Sequence, residues 1–162
     1  AALTGHLVFS TVHTNDAASG FTRLLNWQVE PFLIASTVKG ILAQRLVRRI
    51  CKECKEPYKP EPEELKLTGI DPDKSLKAFK GKGCLSCRDT GYKGRIGIYE
   101  LLLVDGEISE LVLQQAPGYR IREQAQKNGM TTLLEDGVIK LQRGDTTISE
   151  LYETLGTTKI IL

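Results

Sequence analysis

Gln44-Arg45-Leu46-Val47-Arg48-Arg49-Ile50 runs straight into Cys51-Lys52-Glu53-Cys54, and Arg95-Ile96-Gly97-Ile98-Tyr99-Glu100-Leu101-Leu102-Leu103 follows a second pair, Cys84 and Cys87. Arginines alternate loosely with aliphatics in the first run and aliphatics dominate the end of the second, which predicts two strands that pair with each other. Everything between them is then an insertion in a hairpin. Its composition is its own: Lys and Glu in similar number, four of the chain's 6 prolines (Pro57, Pro60, Pro62, Pro72), few aliphatics and all 4 cysteines. Such a segment buries too little apolar surface to offset its chain entropy and needs a cross-link.

The cysteines supply one. Cys51-x2-Cys54 and Cys84-x2-Cys87, with 29 residues between the pairs, make two knuckles able to converge on one tetrahedral Zn²⁺ at a Zn–S distance of about 2.3 Å. A two-residue gap lets one tight turn aim both sulfurs at the same point. Gly81, Gly83, Gly91 and Gly94 crowd the second pair, where a permissive backbone lets amide N–H groups approach the thiolates. Two disulfides, an iron ion or a redox-active C-x-x-C are the alternatives, and nothing in the sequence points to an oxidising compartment. Four thiolates leave no open coordination position, so the expected site is structural. Arg48, Arg49, Lys52, Lys55, Arg88, Lys93 and Arg95 lie close by in sequence. They read either as a solvated face that offsets the thiolate charge or as a binder of nucleic-acid or lipid phosphate.

Towards the N-terminus, His6-Leu7-Val8-Phe9-Ser10-Thr11-Val12 is nearly continuous in apolar and β-branched residues, the pattern of a parallel-sheet strand buried on both faces. Asn15 or Asp16 then caps a helix with Ala17, Ala18, Phe21, Leu24 and Leu25 on one stripe. This β-loop-α unit marks an α/β fold. A second helix is expected from Glu30-Pro31, with Phe32, Ile34, Ala35, Val38, Ile41 and Leu42 facing a core. Ligands of α/β sheets bind beyond the carboxyl ends of strands, where Thr11, His13 and Thr14 sit ahead of a helix N-terminus. A packed or capping role is the alternative for His13, and is the expected one for His6. Ala1-Ala2-Leu3-Thr4-Gly5 reads as the last turn of a helix closed by Gly5; with no initiator Met, the chain is expected to be a piece of a longer one.

Towards the C-terminus the chain reads as short helices. Asp105 caps the first, Pro117-Gly118 breaks it, and the next runs over about 119–128 to Gly129. Thr131 or Thr132 starts a third that Gly144 closes, and Thr147-Ile148-Ser149-Glu150 is a capping box for the last. Leu101–Asp105 superficially resembles a metal-holding acidic strand, but Asp105 fits better as a cap. Over 162 residues, 41% are hydrophobic and 26% charged, and 22 basic against 20 acidic side chains leave a formal charge of +2. Such a balance excludes a disordered chain and carries no argument by itself for nucleic acid or an anionic membrane. No apolar run approaches the roughly 18 residues of a membrane span, so no transmembrane segment is expected. The phosphate-binding signature G-x-x-x-x-G-K-[ST] occurs nowhere, since the only Gly-Lys pair, Gly81-Lys82, precedes Gly83.

Four separated blocks carry a resemblance across nearly the whole chain: residues 4–17, 30–34, 42–48 and 91–102, with the paired cysteines placed between the last two. Together they resemble the type II secretion and type IV pilus assembly ATPases, whose zinc-binding insertion occupies that place. Asp136-Gly137, Gly144 and Thr146-Thr147 are similar to the family's helical C-terminal part. The resemblance implies that 1–50 is the end of a RecA-like P-loop ATPase core. It makes 51–94 a four-cysteine zinc-binding subdomain held by Cys51, Cys54, Cys84 and Cys87, and 95–162 a returning strand with a helical C-terminal subdomain.

It further implies a hexameric motor, cytoplasmic and peripheral to the bacterial inner membrane through secretion or pilus platform proteins, with ATP and Mg²⁺ bound in the complete protein and no nucleic acid among its partners. The stretch 5–17 matches the family's His box, so His13, with Thr11 and Thr14 beside it, is expected to face the terminal phosphate. The phosphate-binding loop, the acidic metal-holding strand and the arginine-donating domain of the family have no counterpart in these residues, and the chain is expected to be inactive alone. The competing reading is a free-standing zinc module that binds nucleic acid or a protein through its basic knuckles, with an affinity for nucleic acid that falls steeply with salt.

Overall fold

Val47, Ile98 and Leu102 are fully buried, and they lie on the two long strands of a hairpin. In the computed structural model, which describes residues 1–66 and 76–156, β1 (Gly40–Ile50) pairs with β4 (Tyr92–Leu103). The Val104 N–H donates to the Lys39 carbonyl at 3.0 Å near one end, and the Cys51 N–H to the Gly91 carbonyl at 2.9 Å near the other, so the strands run antiparallel. Alternation along β4 buries Ile98, Glu100 and Leu102 and exposes Tyr99, Leu101 and Leu103, as a sheet with one covered face requires. A second, two-stranded antiparallel sheet joins β2 (Lys55–Tyr58) to β3 (Ala78–Gly81), with Lys55 opposite Gly81 and Tyr58 opposite Ala78. The fold is mixed α/β with small sheets. Pro72, read above as part of the insertion, lies outside the described residues.

The chain divides into two compact units, Ala1–Ala43 with Glu100–Thr132, and Gln44–Tyr99 with Leu133–Leu162; the division falls within both long strands. In the first unit, α1 (Ala18–Asn26), α2 (Pro31–Thr37), α4 (Gly106–Leu113) and α5 (Gly118–Lys127) bury Phe21, Ile34, Ile108, Val112 and Ile121. Pro31 sits at the first helical position of α2, and the Asp105 carboxylate accepts the Ile108 N–H at 2.9 Å to cap α4. In the second unit, α3 (Pro62–Lys66), α6 (Leu133–Gln142) and α7 (Ile148–Leu155) accompany the small sheet. Gly129 and Gly144 take the left-handed backbone expected of helix stops, with φ of 93° and 72°.

Three sequence expectations need correction. Residues 6–12 form no strand: Leu7, Val8 and Phe9 are 76%, 53% and 89% exposed. A strand that is apolar on both faces forms only between neighbours, and none of the described residues pairs with this one. Helix α2 stops at Thr37, leaving Val38 extended and Ile41 and Leu42 in β1. The Ser36 and Thr37 hydroxyls bond back to the Phe32 and Leu33 carbonyls at 2.7 and 2.6 Å, a local competition that weakens a helix end. The capping box at Thr147 is half made. Thr147 Oγ1 accepts the Glu150 N–H at 3.2 Å, but the Glu150 carboxylate turns to Arg48, accepting its backbone N–H at 2.8 Å and its Nε at 2.6 Å. A charged partner outcompetes a single backbone N–H.

Candidate functional site

Two turns bring the cysteines together. Cys51 follows β1 and Cys54 precedes β2, while Cys84 caps a single 3-10 turn, Leu85–Cys87, that Cys87 ends. All four sulfurs lie within 4.8 Å of one another. Cys51 and Cys84 are 3.9 Å apart, Cys54 and Cys87 3.8 Å, Cys84 and Cys87 3.7 Å. Sulfurs at the corners of a tetrahedron around an ion with Zn–S of about 2.3 Å stand about 3.8 Å apart. The donor set therefore fits a tetrahedral, thiolate-loving ion, and the separations exclude disulfides, consistent with four free thiols.

Backbone donors tune the cluster as the glycines suggested. Burial pushes the Cys54 thiol up to about 12 despite a hydrogen bond from the Gly83 amide. Burial also opposes ionisation of Cys87, but hydrogen bonds from the Cys84 and Gly91 amides and from the Cys84 and Cys54 thiols together hold that thiol down to about 7. The Cys84 N–H reaches Cys87 Sγ at 3.2 Å. A metal entering here displaces protons and inherits donors already aimed at sulfur. Gly81 and Gly91 make the convergence possible. A Cβ on Gly81 would stand 2.1 Å from the Gly91 carbonyl oxygen, and Gly91 itself has φ of 76°.

Four of the seven basic residues near the cysteines are engaged inside the chain. Arg48 pairs with Glu150 and Glu153 and stacks 4.3 Å over Tyr92, Arg49 pairs with Asp145, Lys55 lies 4.3 Å over Phe79, and Lys93 pairs with Glu53. These contacts favour the structural reading of that charge.

At the other predicted site, Thr11 and His13 are exposed and Thr14 is half-buried, its Oγ1 donating to the Asp16 carbonyl at 3.0 Å. His6 lies beside Thr4, with Nδ1 3.1 Å from Thr4 Oγ1. Immediately after His13 the backbone becomes tightly held. The N-cap of α1 is Ala17, and Asp16, one residue before it, accepts the Ser19 N–H at 2.8 Å and pairs with Arg122 of α5. The Ala17 N–H donates to Glu100 Oε1 at 2.8 Å. An open cleft of about 510 Å³ borders this loop, lined by Thr14, Asn15, Asp16, Tyr119 and Arg122 among others.

The family described as "Type II/IV secretion system protein" matches residues 1–153. This chain belongs to that family. It is 48% identical over 153 residues to the type IV pilus assembly ATPase PilB of Thermus thermophilus, covering 93% of this chain and 17% of that protein. It is 44% identical over 151 residues to the type II secretion system ATPase E of Vibrio cholerae, covering 93% of this chain and 30% of the relative, and 42% identical over 151 residues to type II secretion system protein E of Pseudomonas aeruginosa, with the same two shares. The chain thus spans less than a third of the length of these secretion-family relatives. Among the described residues no helix is long and apolar enough to cross a membrane.

Two residues of this family member carry no functional mark that sequence reasoning picks out. Arg122 is one charge in a polar helix, and Glu100 one residue of an apolar run. A signal is nonetheless present for Glu100: it is the acid at position 100 between Ile98 and Leu102, on the phase of β4 that faces inward.

Proposed function

We propose that this chain is the C-terminal portion of a hexameric cytoplasmic ATPase, peripheral to the bacterial inner membrane through its platform partners, that powers assembly of a type II secretion pseudopilus or a type IV pilus. The observation that carries the reading is the match over 93% of the chain to proteins named type IV pilus assembly ATPase and type II secretion system ATPase. In it, 1–50 ends the RecA-like core, 51–94 is the four-cysteine zinc subdomain, and 95–162 contributes the returning strand and the helical C-terminal subdomain. Cys51, Cys54, Cys84 and Cys87 hold the zinc, which supplies a cross-link and no open coordination position. His13, with Thr11 and Thr14, faces the nucleotide's terminal phosphate and responds to its presence.

ATP and Mg²⁺ are held chiefly by a phosphate-binding loop that these residues lack, because positioning and charge stabilisation of the phosphates need its backbone amides and lysine. Residues 1–162 alone are therefore expected to release no phosphate from ATP, whereas the full-length protein hydrolyses ATP in a Mg²⁺-dependent way. His13→Ala in the full-length protein is expected to slow turnover about tenfold or more. Unchanged turnover would remove His13 from the mechanism, and hydrolysis by 1–162 alone would overturn the division of labour.

A further inference from the structure

The backbone just after His13 is held from two sides within one compact unit. Glu100 is 2% exposed on the inward face of β4, and its Oε1 accepts the N–H of Ala17, 83 residues away in sequence. Asp16, 6% exposed, accepts the Ser19 N–H and pairs with Arg122 of α5. Gly118, one helical turn before Arg122, lets α5 lie close to α1, since a Cβ there would stand 3.2 Å from Thr22 Oγ1. Thr14 closes the set by donating to the Asp16 carbonyl. By contrast His13 itself and residues 7–9 before it are exposed.

A buried carboxylate is costly unless bonded, and an apolar residue on that inward strand phase would pack at less cost. A carboxylate at position 100, bonded to a loop amide, fixes where that loop lies. We propose that Glu100 and Arg122 are positioning residues for His13: together they clamp the 14–17 backbone so that the imidazole meets the nucleotide's terminal phosphate. This rests on the reading of His13 given above. The clamp also links that loop to α5, a helix more than a hundred residues away along the chain.

The test uses the full-length ATPase with Glu100→Ala, Glu100→Gln, Arg122→Ala and Arg122→Lys, each alone and combined with His13→Ala. Misplacing a reacting group costs rate more than binding, so Glu100→Ala and Arg122→Ala are expected to lower kcat about tenfold with KM for ATP changed by less than about twofold. Glu100→Gln keeps an oxygen for the Ala17 N–H and is expected to restore most of the rate. In the His13→Ala background the clamp variants are expected to cost less than about twofold further, because they act through the residue already removed. Losses that multiply with His13→Ala, a change in KM alone, or a Glu100→Gln as slow as Glu100→Ala would overturn the clamp while leaving His13 its role. Turnover unchanged by His13→Ala would overturn both. If the alanine variants fail to fold, Glu100→Leu and Arg122→Met, which keep the bulk but remove the acceptor and the charge, carry the same cycle.

Discussion

In the unit formed by Ala1–Ala43 and Glu100–Thr132, Phe21, Ile34, Ile108, Val112 and Ile121 are fully buried in one apolar core. Within the insertion of the other unit, few side chains are buried among the described residues: Pro60, Leu65, Ala78 and the ligand candidates Cys51 and Cys87. Outside the insertion that unit buries Val47, Ile98, Leu141, Ile148 and Leu151 and adds polar reach: Arg48 to Glu150, the Thr146 hydroxyl to the Arg48 carbonyl at 2.9 Å, the Tyr92 hydroxyl to Thr147 at 2.8 Å. The difference shows two ways of offsetting chain entropy. Helical faces do it with area removed from water, while a proline-rich loop of charged residues does it by closing a ring of chain around a bound ion.

The sharpest way to break this contrast is to remove the metal. Chelation, or Cys54→Ser or Cys87→Ser, is expected to unfold 51–94 while α1, α2, α4 and α5 keep their protection from amide hydrogen exchange. Apparent zinc-binding energies of about 10 kcal/mol or more in small zinc domains make this the largest effect. Protein purified under reducing conditions and returning no zinc in a metal assay would refute it. The converse is Phe21→Ala, expected to cost about 3–5 kcal/mol in denaturant unfolding with bound zinc unchanged. A loss of zinc alongside would show that the apolar core also supports the cysteine knuckles.

The smallest expected effect is a pH dependence that arises in the first unit. The Asp105 carboxyl is held below its usual range, chiefly by the Ile108 N–H, against a desolvation cost and with help from the Asn128 amide. A carboxylate whose folded pKa is depressed stabilises above its unfolded value of about 4 and loses that contribution as pH falls through the folded value. Asp105→Asn keeps a capping oxygen and removes the charge. It is therefore expected to flatten the fall in unfolding free energy below about pH 4, measured by denaturant titration across pH. An unaltered slope would assign that acid sensitivity to other carboxylates.

Much of the architecture is legible in the sequence where the signal is local. Proline at position 31, Asp105 and Thr147 as caps, and Gly129 and Gly144 as stops act within one turn of themselves, so sequence neighbours suffice to recognise them. The cysteines are legible for the same reason, because a two-residue gap already aims each pair. The apolar run at residues 6–12 misleads because burial on both faces depends on neighbours that the described residues do not contain. Glu150 misleads because its partner, Arg48, lies 102 residues away.

By itself the sequence determined the hairpin, the cysteine spacing and the helix ends, since each follows from periodicity or from chemistry held within a few residues. Only the tertiary structure decided that four sulfurs stand at tetrahedral separations, that Glu150 serves Arg48, and that Glu100 and Arg122 grip the loop after His13. Those outcomes join residues far apart in the chain, and the hydrogen bonds and ion pairs that fix them exist only once the backbone has brought the partners within about 3 Å.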